Sequence, residues 1–197
     1  MSSSVALAHN VAPTKAQAGL DRALPHGHRV DLLAERIGMH IESLVPRGRA
    51  RCLDIGCGDM TIADAIHEYS TRTDWRCIDV HPVPPDMRRD ARWSKYRQFD
   101  GRTIPYGDHE FDVALLCDVL HHTPENAARL LAEAGRVATN VLVKDGYFTR
   151  EGFVRLAGEQ DLVITALDCG VELYEHTPVV RKALRPDWHF VAVLRHH

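Results

Sequence analysis

The chain has 197 residues, 45% of them hydrophobic and 26% charged, which is enough for one ordinary soluble domain with a proper core. Its 24 basic and 27 acidic residues leave a net charge of −3, so nothing points to nucleic acid or an anionic membrane as a main partner. No apolar run approaches the roughly 20 residues of a membrane span, and the N-terminal MSSSVALAHNVAPTKAQ lacks the basic start and apolar core of a signal peptide. The five cysteines, at 52, 57, 77, 117 and 169, form no CxxC pair and no zinc-like spacing, which suits reduced thiols in a cytoplasm.

Residues 1–25 show no clear period and are expected to be a flexible arm, with 26–197 forming the domain proper. From His28, the residues Val30, Leu33, Ile37, Ile41 and Leu44 recur at helical spacing until Pro46-Arg47-Gly48 ends the pattern. Residues 50–55 predict a short buried strand. A helix with Ile62, Ala65, Ile66 and Tyr69 on its apolar stripe follows, with Asp59 or Thr61 available to cap it. Strands are expected at Trp75–Val80, Tyr96–Asp100 and Phe111–Cys117. Thr123-Pro124-Glu125 should open a helix whose stripe is Ala127, Leu130, Leu131, Ala134 and Val137. Asn140–Lys144 predicts a fifth strand, Thr149–Gly158 a helix carrying Phe153 and Leu156, and Leu162–Leu167 and Trp188–Leu194 two late strands. Strands alternating with helices imply an α/β fold, a mostly parallel sheet covered on both faces.

In such a sheet, ligands bind beyond the C-terminal strand ends, near the point where strand order reverses. The first strand runs into Gly56-Cys57-Gly58, a turn that lets backbone approach a ligand without Cβ interference. It is not a dinucleotide GxGxxG, because Thr61 stands where the third glycine belongs. Three carboxylates, Asp54, Asp79 and Asp100, close the first three strands, and Gly101 follows the last of them.

The segments LDIGCGD, CIDV and QFDGRTIPYGDHEFDVALLCDVLHH, in this order, resemble the class I S-adenosylmethionine-dependent methyltransferases, in particular the small-molecule, type 11 branch. The resemblance implies a Rossmann-like three-layer sandwich with seven strands, the last antiparallel. It also implies S-adenosylmethionine as cofactor and a small-molecule acceptor as substrate. On that likeness Gly56, Cys57 and Gly58 line the cofactor's methionine part and Asp54 lies near its amino group. Asp79 takes the ribose hydroxyls, Asp100 and Gly101 flank the adenine, and Cys117 and Asp118 border the sulfonium. His121 and His122 face the substrate as candidate bases, with Asp118 as a candidate catalytic or positioning group. Asp145 is a weaker candidate on the same face.

The pattern is broken at three places. Met60 stands where relatives carry a third glycine, and reshaping rather than loss of the site is expected. RVATNVLVKDG replaces the usual Lys-Pro-Gly-Gly turn. Gly146-Tyr147-Phe148 runs almost directly into Thr149, without the insertion that commonly builds the substrate pocket. Cover for the pocket could come from the N-terminal arm, a second copy or a partner subunit. The run DMRRDARWSKYR at 86–97 interleaves basic and aromatic residues, but a solvated helix face is expected there rather than an RNA grip. No metal site is expected, although His26 and His28 could meet His121 and His122 over the pocket. Two other functions fit the same motifs: a non-catalytic cofactor-binding subunit, and a non-methylating enzyme performing cyclisation or elimination.

Overall fold

Period-two apolar patterns build the sheet, because alternate side chains of each central strand feed two separate cores. The computed structural model describes residues 26–83, 91–169 and 189–196. In chain order these form α1 (His26–Leu44), β1 (Ala50–Ile55), α2 (Thr61–Tyr69), β2 (Thr73–Asp79) and a 3-10 turn (Ala91–Lys95). Then come β3 (Tyr96–Gln98), β4 (Phe111–Cys117), a second 3-10 turn (Leu120–His122), α3 (Ala127–Val137), β5 (Ala138–Asp145), α4 (Arg150–Gly158), β6 (Leu162–Cys169) and β7 (Phe190–His196). The arm expected over residues 1–25, the Pro84-Pro85 pair, residues 86–90 of the basic run and Trp188 lie outside the described residues.

The seven strands form one sheet in the order β3-β2-β1-β4-β5-β7-β6. β1 to β5 pair in parallel, and β7 runs antiparallel to both β5 and β6. In β4, Val113 and Leu115 join the core under α1 and α2, while Ala114 and Leu116 join the core under α3 and α4. β7 divides likewise, with Val191 and Val193 on one side and Ala192 and Leu194 on the other. The result is the three-layer Rossmann-like sandwich expected from the sequence. None of the described helices is long and apolar enough to cross a membrane.

Two helix starts differ from the expectation. The residue before α2 is Met60, in the left-handed conformation and without a side-chain cap; Asp59 Oδ1 instead accepts from Thr61 N–H at 3.1 Å. α3 begins at Ala127, behind Asn126, because residues 120–122 are already spent on a 3-10 turn. Thr123 Oγ1 therefore bonds Asn126 Nδ2 at 3.2 Å rather than capping a helix. The stripe of α2 also turns by one position: Ala63 and Ile66 are its buried residues, while Tyr69 lies partly exposed over Gly38 of α1. Thr149 caps α4 as expected, accepting from Gly152 N–H at 3.0 Å.

Candidate active site

The chain leaves β3 and crosses to β4 on the other side of β1, so strand order reverses between β1 and β4. The crevice beyond their C-terminal ends is the ligand position of such sheets. Five loops meet there, one after each of β1 to β5.

The turn after β1 is held by backbone. Gly56 N–H donates to Ile78 C=O at 2.8 Å, and Gly58 N–H donates to Asp79 Oδ2 at 2.9 Å. Gly56 has φ +74°, and a Cβ there would lie 2.6 Å from Val119, so both conformation and space demand glycine. Met60 also has positive φ, +67°, which explains the value of a glycine at that position. Its side chain is fully buried in the core beneath the turn and does not enter the crevice. Cys57 behaves similarly: its thiol packs into that core beside Cys77. Its bond to Cys77 and its burial push its pKa up, so this position offers a ligand backbone rather than a reactive sulfur.

A cavity of about 560 Å³ opens beside the turn. Gly56, Asp79, Asp100, Gly101, Asp118 and His122 from the sequence-predicted set line it, together with Val80, Phe99, Val119, Asn126 and Leu130. Asp79 also accepts from His81 N–H at 3.0 Å, and Asp100 Oδ1 accepts from Arg102 and Thr103 N–H at 2.8 and 2.7 Å. These backbone donors hold the Asp100 carboxyl below its ordinary range. Asp54, at the end of β1, is buried, and its Oδ2 has no hydrogen-bond partner among the described residues. Burial, with the neighbouring Asp79 charge, pushes its pKa up to about 7.

Asp118, in a left-handed conformation at φ +55°, is paired with the Lys144 ammonium, whose side chain is wholly buried. The candidate catalytic carboxylate is thus held by a cation that sequence reasoning placed only as the end of a strand. His121 is largely buried and outside the cavity lining, and its Nδ1 lies 3.1 Å from Asp145 Oδ1 and 3.2 Å from Oδ2. Its ring stacks on Tyr147 at 3.8 Å and meets His122 at 4.0 Å. Cys117 sits partly buried behind this cluster, with burial raising its thiol pKa. Ligand atoms of Asp118, His121 and Asp145 lie within 4.8 Å of one another, but Lys144 already pairs with Asp118 and His121 with Asp145.

The described part of the basic run presents an exposed face, with Arg92, Ser94 and Arg97 in solvent and Trp93 buried beneath, but its cations are also bonded to the protein. Arg92 bonds Asp59 C=O, Lys95 pairs with Asp64 on α2, and Arg97 donates to Pro105 C=O at 2.8 Å. These contacts staple the segment before β3 across the first loop. Val119 and Lys144 were the functional positions least visible in the sequence. The only trace of Lys144 was a charged residue at the end of an otherwise apolar strand.

A parallel sheet reversing between β1 and β4, with an antiparallel seventh strand and a glycine turn after β1, defines a doubly wound ligand-binding α/β protein. Residues 53–148 match the family described as "Methyltransferase domain", and the fold is that of the class I S-adenosylmethionine-dependent methyltransferases. No curated protein matches the chain. Among solved structures, it resembles the 1,6-didemethyltoxoflavin-N1-methyltransferase of Burkholderia thailandensis, solved with 1,6-didemethyltoxoflavin and S-adenosylhomocysteine. That match has 17% identity and a TM-score of 0.62, covering 92% of this chain and 81% of the other. It also resembles the [4+2]-cyclase SpnF, at 16% identity and a TM-score of 0.63, covering 82% and 80%. A third is the methyltransferase-like chain of Haloferax volcanii seen in complex with the Trm112 activator, at 12% identity and a TM-score of 0.60, covering 87% and 98%. At such identities the likeness establishes the fold.

Proposed function

We propose that the chain binds S-adenosylmethionine in the crevice and transfers its methyl group to an oxygen or nitrogen of a small metabolite. The observation that carries this reading is the buried Asp54 Oδ2, which has no hydrogen-bond partner among the described residues, at the root of a glycine turn beside a cavity walled by Asp79 and Asp100. An acceptor lacking a partner there fits an ammonium-bearing ligand, since burying a lone polar atom otherwise costs about 1–3 kcal/mol. The backbone of Gly56, Cys57 and Gly58 would hold the methionine part, and Asp79 the ribose. Asp100 and Gly101, between the apolar faces of Phe99 and Leu130, would hold the adenine, with Cys117 and Asp118 bordering the reacting carbon. When bound, the cofactor supplies a methyl group already activated on a sulfonium.

This chain's remaining work is to align the acceptor and exclude water, which in favourable cases is worth about 7–11 kcal/mol. Where the acceptor must lose a proton, His121 and His122 are the bases at hand. The Burkholderia neighbour supports a small-molecule acceptor.

A second reading, that a partner subunit or second copy completes the pocket, is favoured by the short connection after β5. Only residues 146–149 separate it from α4, and Tyr147 is 46% exposed within that connection. The cyclase neighbour supports keeping non-methylating chemistry within the acceptor screen.

The test is calorimetric titration with S-adenosylmethionine and S-adenosylhomocysteine, with Asp79→Ala as control. Micromolar binding that the substitution removes supports the cofactor site and leads to an acceptor screen. Absence of binding to the isolated chain discards the first reading and moves partner capture to the front.

A further inference from the structure

The loops after β4 and β5 bring a histidine and a carboxylate into an arrangement that the fold does not require. Asp145 is fully buried, yet it stands at the ligand end of β5. Its Oδ1 accepts from Gly146 N–H at 2.7 Å and Tyr147 N–H at 3.1 Å, so the carboxylate cannot swing. The third donor is the ring of His121, whose side chain is only 11% exposed. Burial pushes the Asp145 carboxyl up, but the bonds from His121, Gly146 and Tyr147 outweigh it and hold the group below its ordinary range.

A carboxylate can only accept, so the shared proton sits on His121 Nδ1. In the neutral ring that leaves Nε2 with the lone pair, and Nε2 makes no hydrogen bond to a described residue and is not among the sealed polar atoms. Stacking on Tyr147 at 3.8 Å and 22° fixes the ring plane as well. His122 differs: it is exposed, and its ring makes contact with His121 but no hydrogen bond to a described residue. The charged and titratable groups around His121 are Asp145 and Lys144 on β5, Tyr147 beyond it, and Asp118 and His122 on its own loop. Lys144 is engaged with Asp118, which leaves Asp145 as the carboxylate in direct contact with the ring.

We propose that Asp145 is the positioning residue of this site, holding His121 with its proton on Nδ1 so that Nε2 is the atom that takes the acceptor's proton. The inference rests on the methyl-transfer reading for its second half only. His121 Nε2 takes the proton that the acceptor's oxygen or nitrogen loses as that atom forms its bond to the methyl carbon. The electron pair of the broken carbon–sulfur bond stays on sulfur. The imidazolium keeps its Nδ1–H on Asp145 and returns the new proton to solvent after product leaves. His122 lines the cavity but has no such anchor.

The experiment uses the full chain labelled with 15N-histidine, saturated with S-adenosylhomocysteine, and long-range proton–nitrogen spectra across a pH series. His121→Gln identifies the His121 signals among the thirteen histidines. The expected result is the Nδ1–H tautomer in the wild type. In Asp145→Asn that tautomer is lost or mixed, because the acceptor that fixes the proton on Nδ1 has been replaced. An unchanged tautomer in Asp145→Asn overturns the proposal, and Asp145→Glu should restore part of the wild-type pattern.

A panel of small phenols and amines then tests the second half. Both His121→Gln and Asp145→Asn should cut turnover of any accepted member roughly 10²-fold or more, and Asp145→Glu should recover part of it. Turnover that stays within a few-fold of the wild type in His121→Gln overturns the assignment of the base. If the tautomer behaves as expected but no member of the panel is methylated, the second half falls with the methyl-transfer reading while the anchoring by Asp145 stands.

Discussion

Asp54 carries the sharpest consequence at the scale of single residues. Its pKa of about 7 in the fold exceeds the ordinary carboxylate value of 3.8. The native state therefore holds a proton that the unfolded chain has released, and stability falls as pH rises from about 4 to about 7. Asp54→Asn should flatten that decline in thermal melts taken across this window, while weakening S-adenosylhomocysteine binding in calorimetry. An unflattened decline would place the loss of stability with rising pH elsewhere. Gly56 makes the complementary case from sterics. A Cβ would need the left-handed conformation and would meet Val119 at 2.6 Å. Gly56→Ala should cost about 1–3 kcal/mol and lower Tm, and because the turn must shift, S-adenosylhomocysteine affinity should fall at least as clearly as stability. Met60 sits in a similar conformation but points its side chain into the core, so its departure from glycine is absorbed by packing.

At the scale of elements, the site depends on how α4 docks. Phe153 is fully buried, with ring centroids 4.5 Å from Phe190 of β7 and 6.0 Å from Phe148. That cluster seats the short connection in which Gly146 and Tyr147 bond Asp145. Phe153→Ala should cost about 3–5 kcal/mol, lower Tm by roughly 2–4 °C per kcal/mol, and disturb the His121 signals although residue 153 lies outside the crevice. The 3-10 turn at Ala91–Lys95 does a similar job for the first loop through Arg92 and Lys95. The basic run is exposed in the fold, yet Arg92 and Lys95 also tie the segment before β3 to the first loop and α2.

For the whole molecule, a ligand that binds only the folded chain must stabilise it. At a hundredfold excess over Kd the gain is about 2.7 kcal/mol, which for a chain of this size is a rise in Tm of roughly 5–11 °C. Differential scanning calorimetry with S-adenosylhomocysteine should show this rise, and Asp79→Ala should abolish it. A rise that appears only with a second protein present would favour the partner-completed pocket.

The fold class, the strands and the loops that carry the site were legible in the sequence because they rest on local physics. Apolar alternation in FDVALLC, the bare Gly56-Cys57-Gly58 turn and carboxylates at strand ends each reveal themselves within a few residues. Element boundaries were less so: Thr123 has the chemistry of a cap, but the 3-10 turn before it had already used that stretch of chain. The bond from His121 to Asp145 spans 24 positions, and the pairing of Asp118 with Lys144 spans 26. Neither has a periodic or compositional signature, since both arise only when β4 and β5 lie side by side in parallel and present their C-terminal loops to one crevice. Residue type and spacing decided which loops carry the site; the register of two neighbouring strands decided which side chains meet there.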